Sequence, residues 1–254
     1  MKNRQKELLV KFIFNDSVRL QIQKGLGMIR AVVFDLDGTI VKFNIDFKAV
    51  RADVRSLLIK EGVPASVLSI NESIFEMLKK MEIFMKNNGK PANKIEEVRK
   101  KALAIAEKYE LEAAKTTSLQ PGIKEILKTL KNMGLKIGIC TVNSQKSVDH
   151  ILKKFGINEF FDTVTPRDVV KNVKPNTEHL ENTLKALGID PKEALVVGDS
   201  PADMKCAKEL GAIAAALPGM STQKELADAG ANYIITTITD IPTLIEQINT
   251  SKGA

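Results

Sequence analysis

The chain has 254 residues, of which 44% are apolar and 27% charged, and its formal net charge is +7 at pH 7. This composition is ordinary for a globular protein, and the longest apolar runs are far shorter than a membrane span. Residues 1–27 supply +4 of the charge, because six Lys or Arg residues stand there against two acidic ones. The remaining charge is spread thinly and lacks interleaved aromatic residues, which excludes nucleic acid as the main partner.

Residues 1–27 form a basic appendage that the chemistry is not expected to need. They carry charges throughout and lack the apolar centre and small-residue cleavage site of a secretion signal. A packed helix, a frayed arm and a true start at Met28 all stay open for them. Cys140 and Cys206 are far apart and form no metal-ligand pattern. We therefore expect a cytoplasmic protein with no membrane partner.

The first strong pattern is an apolar run at 31–34 that leads into two aspartates, Asp35 and Asp37, and then Gly38. The run predicts a short buried strand, because it is rich in β-branched residues and too short for a helix. In strand geometry Asp35 and Asp37 share a face, and Gly38 permits a sharp turn. Two such carboxylates repel each other unless a cation or a shared proton separates them. One could be a nucleophile and metal ligand and the other a general acid and base, although a solvated Asp-rich turn explains the pattern equally well.

Residues 45–117 form the second predicted region, an all-α insertion. Apolar stripes at helical spacing predict helices near 47–58, 74–84 and 94–114, with Asn71 as the cap of the second. No strand signal occurs between them. Some 70 residues of helix between two strand-bearing regions are typical of an inserted helical domain.

Strands and helices alternate in the rest of the chain. Predicted strands near 135–140, 161–165, 194–197, 213–217 and 233–235 alternate with helices near 122–130, 144–155, 175–187, 201–210 and 242–248. This alternation predicts an α/β fold with a doubly wound, Rossmann-like parallel sheet. The core domain is then discontinuous and comprises 28–44 and 118–254.

Polar side chains follow three of the predicted strands. They are Asp35 and Asp37, then Thr141 with Asn143, then Asp199 with Ser200. The carboxyl ends of parallel strands meet at one crevice, and Lys174 lies at the mouth of a helix that reaches it. Clustered carboxylates suit Mg²⁺, and a hydroxyl, an amide and an ammonium suit phosphate oxygens. The set predicts a phosphoryl-transfer site. His150 and His179 are interpreted as surface or packing residues.

These motifs, in this order, resemble those of the haloacid dehalogenase superfamily over residues 30–248. Its first motif stands as Asp35-Leu36-Asp37-Gly38-Thr39, its second falls on Thr141, its third on Lys174, and its fourth is Gly198-Asp199 with Asp203. The helical insertion resembles the cap of the phosphoglycolate phosphatase and β-phosphoglucomutase branch.

The resemblance implies a role for each site residue. Asp35 attacks phosphorus to form an aspartyl-phosphate, and Asp37 protonates the leaving oxygen and then deprotonates water. Thr141 and Lys174 hold the phosphoryl oxygens. Mg²⁺ is held by Asp35, the Asp37 backbone carbonyl and Asp199, with Asp203 supporting. Further contacts to substrate are expected from Gly38, Thr39, Asn143 and Ser200.

The function predicted is a Mg²⁺-dependent phosphatase that acts on a small phosphorylated metabolite, as a monomer or a homodimer. Phosphoglycolate is the first expectation, and sugar phosphates, nucleoside monophosphates and pyrophosphate stay open. The alternatives are a phosphomutase of the β-phosphoglucomutase type and a non-catalytic protein that binds a phosphorylated ligand.

Overall fold

The computed structural model describes residues 28–42 and 45–250, so the expected appendage at 1–27 lies outside the described residues. The described chain forms one parallel six-stranded sheet, with strands β1 (Ala31–Phe34), β2 (Lys136–Cys140), β3 (Thr163–Thr165), β4 (Ala194–Gly198), β5 (Ile213–Ala216) and β6 (Tyr233–Ile234). Their order is β3-β2-β1-β4-β5-β6. The order reverses between β1 and β4, so the predicted doubly wound α/β sheet is confirmed.

The central strand β1 is covered on both faces. Its four residues are fully buried, and Ala31 and Val33 belong to a cluster that also holds buried residues of the helices packed on that face. Val32 and Phe34 point to the opposite face and are equally buried. Phe34 lies beside Val197 of β4. The residues that follow these two strands therefore emerge together at the carboxyl edge of the sheet.

Nine α-helices occur in the described residues: α1 (Phe47–Lys60), α2 (Ile74–Asn87), α3 (Ala92–Thr116), α4 (Ile123–Asn132), α5 (Gln145–Phe155), α6 (Thr177–Leu187), α7 (Pro201–Leu210), α8 (Gln223–Ala229) and α9 (Ile241–Thr250). The expected cap of α2 was wrong, because Ser73 and not Asn71 accepts the bond from the Glu76 N–H. Helix α6 begins two residues later than expected, since the Asn176 side chain caps it. No described helix is long and apolar enough to cross a membrane.

The described chain divides into two compact units. The first comprises 28–42, 119–142 and 157–250 and contains the sheet, and the second comprises 45–118 and 143–156. The second unit differs from the predicted insertion by including α5. Two contacts explain this grouping: the Lys154 ammonium donates to three carbonyls at the end of α3, and the Glu110 carboxylate accepts from the Ser144 N–H. The domain boundaries expected from the sequence stay a prediction.

Candidate active site

Two aspartates of the first unit lie at the point where the strand order reverses. Asp35 follows β1, Asp199 follows β4, and their residues are 9% and 7% exposed. The backbone N–H of Asp35 donates to the Val197 carbonyl at 2.9 Å, which extends the pairing of β1 and β4 by one residue. Ligands of open parallel α/β sheets bind at such a switch point. The prediction that these two strand ends converge is confirmed.

The Lys174 ammonium joins these strand ends to the first helical turn of α7. It donates to Asp35 Oδ1 at 2.8 Å, to the Cys140 carbonyl at 2.7 Å and to Asp203 Oδ1. An ammonium has three donors, so all of its hydrogen-bonding capacity is used. Burial alone would lower the pKa of Lys174, but the charges of Asp203 and Asp35 raise it well above its ordinary value. Lys174 is therefore a fixed cation beneath the Asp35 carboxylate.

Asp203 is held by the N-terminal cap of α7. Ser200 is the cap residue: its hydroxyl and its backbone N–H both donate to Asp203 Oδ2, and its hydroxyl accepts from the Asp203 N–H. Gly198 leaves room for this arrangement, because a Cβ there would lie 2.5 Å from the Asp203 carboxyl carbon. Both carboxylate oxygens of Asp203 are thus bonded within the protein. The structure gives Ser200, expected to bind substrate, a helix-capping contact.

The carboxylates outnumber the cation at this edge. Oxygens of Asp35, Asp199 and Asp203 lie within 4.8 Å of one another, and the Lys174 ammonium is paired with two of these three carboxylates. Burial, opposed by Lys174 and reinforced by Asp203, raises the pKa of Asp35 to about 6. Burial, with the charges of Asp35 and Asp203, raises the pKa of Asp199 to about 8. An all-oxygen donor set with excess negative charge fits a hard divalent cation such as Mg²⁺.

The turn after β1 packs its backbone against Asp199. Gly38 has φ +81°, and a Cβ there would lie 2.0 Å from Asp199 Oδ2, so only glycine fits. Asp37 forms an isolated β-bridge with Val41, and the residue is more exposed than Asp35. Thr39 is fully buried, and within the described residues its hydroxyl has no hydrogen-bond partner. A direct contact between the Thr39 hydroxyl and substrate therefore stays a prediction.

The remaining predicted residues fall in different units. Thr141 follows β2 in the first unit, is 1% exposed, and its N–H donates to the Thr165 carbonyl of β3 at 3.1 Å. Asn143 belongs to the second unit, where it is buried. The first unit thus brings together Asp35, Lys174, Asp199 and Asp203 through direct contacts or proximity.

His179 contacts the backbone of this site. It is fully buried in α6, its Nδ1 accepts from the Lys174 N–H at 3.4 Å, and its Nε2 lies 3.0 Å from the Thr165 carbonyl oxygen. Burial and the Lys174 charge lower its pKa to about 4. The sequence interpretation included a packing role but missed both hydrogen bonds. The available signal was that His179 shares the apolar stripe of α6 with Leu180 and Leu184.

The chain is similar to known hydrolases and to a mutase. A family model described as haloacid dehalogenase-like hydrolase matches residues 32–217. A Clostridium perfringens protein, whose provisional name is pyrophosphatase PpaX, is 28% identical over 226 residues, covering 87% of this chain and 100% of that protein. Phosphoglycolate phosphatase 1 of Pseudomonas aeruginosa is 28% identical over 219 residues, covering 84% and 78%. The crystal structure of β-phosphoglucomutase from Clostridium difficile matches with a TM-score of 0.58 and 19% identity, covering 89% and 100%.

Proposed function

We propose that this chain, which belongs to the haloacid dehalogenase-like hydrolase family, is a Mg²⁺-dependent phosphatase that acts on a small phosphorylated metabolite through an aspartyl-phosphate. One observation carries the proposal: the Asp35 carboxylate, at the switch point of the sheet, is fixed by the Lys174 ammonium at 2.8 Å. An oriented carboxylate beside a buried cation suits attack on an anionic phosphoryl group. The names of the Clostridium perfringens and Pseudomonas aeruginosa relatives agree with phosphoryl chemistry.

The proposed reaction has two steps, phosphorylation of Asp35 and hydrolysis of the aspartyl-phosphate. In the first, an Asp35 oxygen forms a bond to phosphorus, the bond from phosphorus to the leaving oxygen breaks, and Asp37 gives its proton to that oxygen. In the second, water loses a proton to Asp37 and forms a bond to phosphorus, and the bond to Asp35 breaks. Asp37 suits this exchange because it lies two residues beyond the nucleophile and is the more exposed of the two aspartates. Thr141 holds a phosphoryl oxygen. The three donors of Lys174 are engaged by Asp35, Asp203 and the Cys140 carbonyl, so its ammonium acts by offsetting the charge that develops on the phosphoryl group.

The carboxylate cluster is the proposed magnesium site. Asp35, Asp199 and the backbone carbonyl of Asp37 would hold the ion, with Asp203 supporting them through Lys174 and Ser200. Burial, and after it the charge of neighbouring carboxylates, raises the pKa values of Asp35 and Asp199, and a bound divalent cation would stabilise the charged form of both groups. Bound Mg²⁺ would supply Lewis-acid stabilisation of charge on the phosphoryl oxygens.

The substrates to try first are pyrophosphate and phosphoglycolate, because the two relatives are named for them. Sugar phosphates and nucleoside monophosphates complete the panel. A phosphomutase shares the fold, as the resemblance to β-phosphoglucomutase indicates, but no contact described above favours return of the phosphoryl group to the product.

The test is release of inorganic phosphate from this panel, measured in MgCl₂ and in EDTA. The variants are Asp35→Asn and, as a matched control, Asp228→Asn at an exposed position of α8. We expect release only with Mg²⁺, loss of release in Asp35→Asn, and wild-type rates in Asp228→Asn. Release that survives Asp35→Asn would contradict the proposal. Conversion of β-glucose 1-phosphate to glucose 6-phosphate without net phosphate release would favour the mutase.

A further inference from the structure

We propose that His179 is a positioning residue that fixes Lys174 and Thr141 relative to each other through a single imidazole. The inference rests on the proposed function, in which Thr141 holds a phosphoryl oxygen and Lys174 offsets the charge of the phosphoryl group. His179 touches neither substrate nor metal in this account. It acts through hydrogen bonds to two backbone groups of the first unit, the Lys174 N–H and the Thr165 carbonyl.

The first contact acts on Lys174. His179 lies five residues further along the chain, and its Nδ1 accepts the backbone N–H of Lys174 at 3.4 Å. The bond ties the start of the lysine side chain to α6, while the ammonium is held at the strand ends by Asp35, Asp203 and the Cys140 carbonyl. The lysine is thereby restrained at both of its ends.

The second contact acts on Thr141. His179 Nε2 lies 3.0 Å from the Thr165 carbonyl oxygen, and the same oxygen accepts the Thr141 N–H at 3.1 Å. A carbonyl oxygen has two lone pairs, so it can accept both bonds. The resulting chain of hydrogen bonds runs from the Lys174 N–H through the imidazole to the Thr165 carbonyl, where the Thr141 N–H also ends.

This chain requires one protonation state of the ring. Nε2 must carry the hydrogen in order to donate to the Thr165 carbonyl, and Nδ1 must be unprotonated in order to accept from the Lys174 N–H. Burial and the Lys174 charge favour the neutral ring, against the Thr165 carbonyl, Asp203 and Glu178, which favour the charged one. A histidine that only filled space in the core would need neither bond.

Three variants separate positioning from packing. His179→Phe keeps a ring of similar size and loses both bonds, whereas His179→Asn retains an acceptor near the position of Nδ1. Leu184→Ala, a buried residue of the same helix, opens a cavity without touching either bond. We expect kcat on the best panel substrate to fall about 100-fold in His179→Phe, the scale expected for displaced catalytic groups. His179→Asn should recover part of that loss, and Leu184→Ala should lower Tm with kcat within about threefold of wild type.

A spectroscopic measurement tests the ring directly. The chain has two histidines, so ¹⁵N spectra of a His150→Gln variant report on His179 alone. We expect a neutral ring with hydrogen on Nε2 at pH 5.5 and at pH 8.0. A ring that is charged at pH 5.5, or that carries its hydrogen on Nδ1, overturns the inference whether or not the enzyme is active.

The activity measurements distinguish failure of this inference from failure of the proposed function. If the wild type turns over substrate and a folded His179→Phe variant matches its kcat, the inference is wrong and the proposed function stands. If the wild type hydrolyses nothing, the proposed function fails. The inference is then judged by calorimetric affinity for inorganic phosphate in MgCl₂, where weaker binding by His179→Phe supports it. Equal affinities, or no binding by either protein, overturn it.

Discussion

Removing the buried ammonium is the sharpest perturbation of the site. Lys174→Met keeps most of the side-chain volume but deletes the donor that Asp35, Asp203 and the Cys140 carbonyl share. The Lys174 side chain is only 4% exposed, so water cannot readily replace the lost donor. Removing one partner of a buried ion pair typically costs about 3–5 kcal/mol. We expect a loss of this size in the free energy of unfolding at pH 8.0 in EDTA.

The pH dependence of that loss has a definite sign. Lys174 lowers the pKa of Asp35, which burial nevertheless raises to about 6. Without the ammonium the pKa of Asp35 rises further, and at pH 5.5 the carboxyl group takes up a proton and relieves the unpaired charge. The destabilisation should therefore be smaller at pH 5.5 than at pH 8.0. Phosphate release should fall by about 100-fold or more, because in the proposed mechanism the ammonium orients Asp35 and offsets the charge of the phosphoryl group.

Urea unfolding at the two pH values, with Lys171→Met as the matched control, measures the effect. Lys171 lies three residues earlier and its side chain is exposed, so the same substitution should change the free energy of unfolding by less than about 0.5 kcal/mol. A loss below about 1 kcal/mol at pH 8.0 for Lys174→Met, or a loss that grows on acidification, would refute the reasoning.

The other predictions concern the metal and the turn after β1. The raised pKa values of Asp35, about 6, and Asp199, about 8, mean that the metal-free protein loses stability as pH rises through those values. Mg²⁺ should therefore raise Tm more at pH 8.0 than at pH 5.5, and scanning fluorimetry that shows the reverse would contradict the assignment. Gly38→Ala should weaken Mg²⁺ binding about 10-fold or more, because its Cβ would meet Asp199. Gly134→Ala, also at positive φ but with open space around its Cβ, should keep wild-type affinity in the same titration. Thr39→Val should leave the free energy of unfolding within about 1 kcal/mol of wild type in urea, because the hydroxyl has no partner among the described residues; a loss above about 2 kcal/mol would show that it has one.

Most of the site could be predicted because its residues are tied to strand ends. A buried run followed by a polar residue gives both the strand and the direction in which that residue emerges, as at Asp35 and Asp199. Parallel pairing then brings the strand ends together without any knowledge of side-chain contacts. Lys174 was placed near the crevice by its position at the mouth of a helix, but its contacts with Asp35 and Asp203 depend on a long side chain whose course the sequence pattern does not reveal.

The features that the sequence analysis did not predict correctly have specific physical causes. Helix α8 was not predicted, although Thr222 and Glu225 form a capping box whose spacing is visible in the sequence. The same pattern at Ser73 and Glu76 would have placed the start of α2 correctly. The grouping of α5 with the helical unit depends on contacts such as that of Lys154 with the end of α3, about 40 residues away, which periodicity does not reveal.

The most direct test of the central claim is chemical trapping of the phosphorylated enzyme. Wild-type protein is mixed with the best panel substrate in MgCl₂, quenched within milliseconds and reduced with borohydride, which converts an aspartyl-phosphate to homoserine. Mass spectrometry of the digest then identifies the modified residue. We predict homoserine at position 35, with Mg²⁺ and substrate both required, and no conversion in Asp35→Asn. Steady turnover without conversion at position 35, or with conversion at another aspartate, would contradict the account.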